Sequence, residues 1–139
     1  MYVVDTNVIS ELRRARLGGA DRAVSLWASG VGANELYASA VTIEELEIGV
    51  LRMERRDAQQ GVILRAWLSE VVRVTFKGRI LPVDLAVARR SARLHVPDPR
   101  PVRDGFIAAT ALVHGLTLVT RNVADFEPMG VPVLNPWQV

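Results

Sequence analysis

The chain has 139 residues, half of them hydrophobic, with no cysteine and a formal net charge of +2. That length suits one compact domain with its own core, and the missing cysteine excludes disulfides, thiolate zinc sites and cysteine nucleophiles. No run approaches the roughly 20 apolar residues that cross a bilayer, and the N-terminus lacks a basic segment ahead of a long apolar stretch. The expectation is a cytoplasmic protein of a single domain, residues 1–139, with no membrane partner.

In chain order, Val3-Val4 reads as a short buried strand, and Val8, Ile9 and Leu12 then recur at helical spacing. Gly18-Gly19 breaks this helix. Asp21 is read as the N-cap of a helix reaching about Gly30, with Val24 and Trp27 on one side. Leu36 to Val41 forms a second strand. Thr42 and Glu45 then have the spacing of a capping box, Thr at N-cap and Glu at N3. A helix is predicted over Asp57 to Thr75, with Ile63, Leu64, Trp67, Leu68, Val71 and Val72 in register. Ile80-Leu81 forms a brief extended piece, and Asp84 caps a helix over Leu85–His95. Proline dominates Pro97-Asp98-Pro99-Arg100-Pro101, which makes a stiff loop. Asp104 begins a helix reaching about His114, and Gly115 stops it. Leu116–Thr120 and Val131–Leu134 are the remaining strands, the second an edge because of Pro132.

Strands and helices alternate, which predicts an α/β fold with a parallel sheet covered on both faces. In such sheets ligands bind beyond the carboxyl ends of the strands. Asp5, Glu45, Asp104 and Asp125 all stand at strand ends or helix starts, so parallel strands make them converge. Converging carboxylates repel unless a cation sits among them. An all-oxygen set suits Mg²⁺ or Mn²⁺, and a chain without cysteine and with two histidines is poor in zinc ligands. Such an ion serves phosphodiester hydrolysis. Each acid also has a plainer reading: Asp5 and Asp104 as helix caps, Glu45 as the capping-box Glu, Asp125 as a turn residue. Glu44 and Glu47 offer carboxylates beside Glu45. Trp27, Trp67 and Trp137 are read as packing residues, and His95 and His114 as helix-end or surface residues. Lys77 is the only lysine among 17 basic residues. Arginine forks match phosphate geometry, although codon bias also yields such a ratio.

Three segments, VVDTNVISEL, SAVTIEELEIGV and RDGFIAATALVHGLTLVTRNVADF, together resemble the PIN-domain family, and within it the VapC/FitB-type toxins of toxin–antitoxin pairs. The resemblance implies a PIN-like three-layer α/β/α domain with a short, mostly parallel central sheet. It implies a Mg²⁺- or Mn²⁺-dependent endoribonuclease in which a metal-activated water cuts RNA phosphodiester bonds. The pattern T-x-x-E-x-x-x-G falls on Thr42, Glu45 and Gly49 and selects Glu45 as the second acid. Asp5 and Asp104 are the implied metal ligands, Glu45 orients or deprotonates the water, and Asp125 completes the pocket or holds a second ion. Many relatives carry an acid where this chain has Asn122, which becomes a polar support with Thr6, Asn7 and Thr120. Arg13, Arg103 and Arg121 are offered to RNA phosphates, with a solvated-face role beside that reading. The implied partner is a small antitoxin that inserts a segment near the acids. A homodimer is also implied, assembling into a heterotetramer or larger with the antitoxin. The regions Ala58–Val74 and Leu85–His95 are its candidate helices.

Competing expectations are a PIN-domain RNA-processing or DNA nuclease and a non-catalytic PIN-like binding module. An aspartyl-phosphate mechanism fits less well, because Asn7 stands where its second acid belongs.

Overall fold

Val3 and Val4 are neighbours on β1 (Tyr2–Val4), and neither has any exposed surface. Successive side chains of a strand point to opposite faces, so this strand is covered on both sides. The computed structural model, which describes residues 1–139, supplies the reason. β1 is the middle of a five-stranded sheet in the order β3-β2-β1-β4-β5, with β2 at Leu36–Ser39, β3 at Ile80–Leu81, β4 at Thr117–Val119 and β5 at Val133–Leu134. All pairings are parallel, and parallel neighbours need crossover connections that place helices on the sheet faces.

The helices are α1 (Thr6–Arg16), α2 (Arg22–Ser29), α3 (Ala40–Arg56), α4 (Ala58–Ala66), α5 (Arg73–Thr75), α6 (Leu85–Leu94), α7 (Val102–His114) and α8 (Val123–Phe126). Val4 packs into one core with Val8 and Ile9 of α1, Trp27 of α2, Leu46 and Val50 of α3, and Leu68. Val3 packs into the other with Leu118, Ile107 and Ala108 of α7, and Phe126. The α6 helix packs on α7. The expected three-layer arrangement is present, and the sheet is wholly rather than mostly parallel.

Two local expectations are corrected. The second strand ends at Ser39, two residues early, because the Ser39 hydroxyl accepts the Val41 N–H and starts α3 there. Ser39 meets the free N–H groups first as the chain leaves the sheet. Thr42 therefore lies buried inside the helix, and the capping box with Glu45 does not form. The predicted helix over Asp57 to Thr75 is helical throughout from Ala58, but Trp67–Val72 is a wider π-helical stretch, with the Arg73 N–H donating to Leu68 O. An i+4 repeat drifts about 40° per step around an α-helix. The wider turn lets Leu68, Val72 and Phe76, each 2–3% exposed, all reach the core.

Asp84 caps α6 by accepting the Val87 N–H, as its position predicts. Gly115 ends α7 in the left-handed region at φ 66°, which a side chain would strain. β3 and β5 are the sheet edges, leaving β2, β1 and β4 to carry the central carboxyl ends.

Candidate active site

Asp5 immediately follows β1, and its N–H extends the ladder by donating to Val119 O at 2.9 Å. Its two carboxylate oxygens have separate duties. Oδ1 accepts the Thr6 N–H at 2.8 Å and caps α1. Oδ2 accepts the Thr120 hydroxyl at 2.8 Å and, at a long 3.5 Å, the Asn7 amide. One side chain, 6% exposed, therefore both caps α1 and ties the end of β1 to Thr120.

Glu45 lies in the second turn of α3 and accepts the Thr6 hydroxyl at 2.8 Å. Its neighbours are engaged elsewhere. Glu44 pairs with Arg103 at 3.3 Å, and both Glu47 oxygens accept from Arg65 Nη1, at 2.7 and 2.8 Å. Arg65 also holds Glu54. Of the three clustered glutamates, Glu45 is the one linked to the Asp5 segment.

Asp104 is the third residue of α7, which starts at Val102 and not at Asp104 itself. An ionised carboxylate in a first turn is favoured by the helix dipole. Gly105 beside it permits α7 to approach α6 closely: a Cβ there would lie 2.8 Å from His95 Nε2 and 3.0 Å from Ser91 Oγ. His95 Nδ1 accepts the Arg100 N–H at 3.2 Å, fastening the proline-rich loop. From its position in the sequence His95 is a surface or helix-end residue. The signal for its anchoring role was a glycine in the first turn of a helix, where alanine is favoured.

Asp125 lies in α8 and is exposed. Asn122 differs from expectation, since its side chain makes no hydrogen bond. Its support comes from the main chain, whose N–H donates to Thr120 Oγ1 at 3.0 Å. Asn7 bridges the site by donating to Thr120 Oγ1 at 3.4 Å and accepting the Arg121 N–H at 3.3 Å.

No basic side chain comes within ion-pairing distance of the four acids, because each ion pair in the molecule uses another carboxylate. Two of the four acids, Asp104 and Asp5, are shifted. Burial pushes Asp104 up to about 6, with the charges of Asp5, Asp125 and Glu45 adding to it. Burial also raises Asp5, against the Thr120 and Thr6 hydrogen bonds, and the Asp125 charge raises it further. A carboxyl raised by burial and by neighbouring acids is a candidate for a functional site.

An uncompensated set of carboxylate oxygens has the donor chemistry for a hard divalent cation. No group of three or more acidic or histidine side chains is drawn tightly enough to cage a metal alone. That looseness fits Mg²⁺, which keeps several of its waters.

The three candidate arginines diverge. The Arg121 guanidinium lies 5.1 Å from the Trp137 ring centre beside the site. Arg103, adjacent to Asp104, is held by Glu44. Arg13 stacks over Trp67 at 5.7 Å; eight residues beyond Asp5, it lies about 12 Å along α1.

The family model for the PIN domain matches residues 2–128. The chain belongs to the PIN-domain family. Among its relatives, the VapC ribonuclease Y4jK of Sinorhizobium fredii is 38% identical over 99% of both chains. Toxin FitB of Neisseria gonorrhoeae is 36% identical, again over 99% of each. The crystal structure of FitAcB from Neisseria gonorrhoeae superposes on this PIN domain with a TM-score of 0.89, at 34% identity and covering 100% of both chains. No helix of the PIN domain here is long and apolar enough to cross a membrane.

Proposed function

We propose that this PIN-domain protein, as one domain spanning 1–139, is a Mg²⁺- or Mn²⁺-dependent endoribonuclease and the toxin of a type II toxin–antitoxin pair. The observation that carries the reading is the set of four carboxylates with no basic partner, two of them raised by burial and mutual charge. The ribonuclease and toxin names of full-length relatives support it.

Asp5 and Asp104 would hold the metal, Asp5 fixed by Thr120 and Thr6 and Asp104 by the α7 first turn. When bound, a divalent cation supplies a Lewis acid for phosphate oxygens and lowers the pKa of water. Glu45, oriented by Thr6, takes the proton of the attacking water. Asp125 closes the acidic rim, and Arg121 and Arg103 flank it for RNA phosphates. Arg13 is set aside for the rim because of its distance along α1.

The proposed partners are an antitoxin, which covers the acids, and a second copy of the chain; the proposed location is the cytoplasm. A relative's structure is that of FitAB bound to a DNA fragment, at 32% identity, which supports a toxin–antitoxin assembly.

Purified protein free of partner is expected to cut single-stranded RNA with Mg²⁺ or Mn²⁺, to stop in EDTA and to resume on metal addition. Cleavage that is indifferent to EDTA, or absent with metal, would contradict the proposal.

A further inference from the structure

We propose that Arg89, Arg90 and Arg93 of α6 form a docking track for the RNA backbone outside the carboxylate pocket. This rests on the ribonuclease reading and adds a substrate-binding surface to it.

The α6 sequence LAVARRSARL contains three arginines and no acid, and α7, on which it packs, contributes only Asp104. Val87 and Ser91 form the buried face of α6. Arg89 and Arg93 are exposed and Arg90 is half-buried, and the three, with Ala86 and Val113, line one concavity of about 250 Å³. None takes part in an ion pair, unlike Arg65 and Arg103, and none donates a hydrogen bond within the chain, unlike Arg79.

Three unpaired guanidinium groups on one turn and a half repel one another, and a ligand with repeated anionic groups relieves that repulsion. Guanidinium forks match phosphate oxygens bidentately. Ala86 and Val113 leave apolar surface between them for ribose or base.

The position also fits. Ala86, near the start of α6, shares the concavity with Val113, near the end of α7, so the two helices run antiparallel. Val113 is nine residues beyond Asp104, about 13 Å along α7. Arg93 stands at the other end of α6, next to the loop that leads into the first turn of α7. A strand lying along α6 therefore arrives at Asp104.

The test measures binding of a labelled 20-nucleotide single-stranded RNA by fluorescence anisotropy, in an Asp5→Asn background that prevents cleavage. R89Q/R90Q/R93Q is compared with R22Q/R52Q/R55Q, which removes equal charge from exposed positions elsewhere. The track predicts roughly tenfold weaker binding for the α6 variant and a salt slope shallower by about 2, since single strands release about 0.7 counterion per contact. The control should stay within about twofold of its parent. In the cleaving protein the α6 variant should raise KM and keep kcat.

Equal losses in both variants would reduce the effect to net charge and overturn the track. So would unchanged affinity and slope, or a loss of self-association or of acidic-peptide binding with RNA affinity intact. If the parent binds RNA and the wild-type cuts it, such a result removes the track alone. If the parent binds none and the wild-type cuts none, the ribonuclease reading falls with it.

Discussion

The Thr120 hydroxyl donates a 2.8 Å hydrogen bond to Asp5 Oδ2, joining positions 115 residues apart. Thr120 Oγ1 also accepts the Asn122 N–H, so one hydroxyl links the ends of β1 and β4 to the start of α8. Removing a group that orients a metal ligand typically costs 10–100-fold in metal affinity or activity. Thr120→Val is expected to lose about that much in the Mn²⁺ dependence of RNA cleavage. Thr120→Ser, which keeps the hydroxyl, should restore most of it.

Glu44, Glu45 and Glu47 make a second test, because their partners differ. Glu45→Gln should lower kcat by about 100-fold or more, the scale of a lost general base. Glu44→Gln breaks only an exposed pair and should stay near wild-type. Glu47→Gln should alter thermal stability more than cleavage. Cleavage rates and melting curves for the three variants decide this directly.

The alternation of elements was legible because the central strands β1, β2 and β4 are largely buried on both faces and the longer helices carry a 3.6-residue stripe. The start of α3 was not, since Ser39 and Thr42 are both competent caps and only the end of β2 decides between them. The π stretch was hidden for a similar reason: its apolar positions fit an ordinary helix until the core demands an i+4 row. At the site, Asp5, Asp104 and Asp125 stand out as candidates by their places near element ends, whereas only the family pattern T-x-x-E-x-x-x-G separates Glu45 from Glu44 and Glu47. Their separate hydrogen-bond duties could not be read this way, because Thr6 to Glu45 and Thr120 to Asp5 are long-range contacts that depend on the sheet order β2-β1-β4. The π-stacked arginines and the anchoring role of His95 are tertiary facts of the same kind.

Gly105→Ala tests how closely α6 sets the Asp104 helix. The new methyl meets His95 Nε2 at 2.8 Å, and that ring is held by the Arg100 N–H. Overpacking of this kind costs about 1–3 kcal/mol. Chemical denaturation should show that loss, and cleavage should fall further than stability explains. His95→Ala in the Gly105→Ala background should recover part of it.

Asp104 titrates at about 6 in the folded chain, above the ordinary 3.8. A group with a raised pKa holds its proton more tightly when folded, so metal-free stability is gained as pH falls through 6 toward 4 and lost as pH rises through that window. Asp5 shifts in the same direction. Calorimetry should therefore give a higher melting temperature at pH 5 than at pH 7.5 without metal. Mg²⁺ should raise it at pH 7.5 and have little effect at pH 5. Asp104→Asn should flatten the metal-free profile.

The most direct measurement is equilibrium Mn²⁺ binding by isothermal titration at pH 7.5, on the wild-type protein and on Asp5→Asn and Asp104→Asn. Convergent, unpaired carboxylates predict saturable binding to the wild-type that is lost or weakened at least tenfold in both variants. Absence of binding to the wild-type, or the same isotherm in all three proteins, would contradict the account.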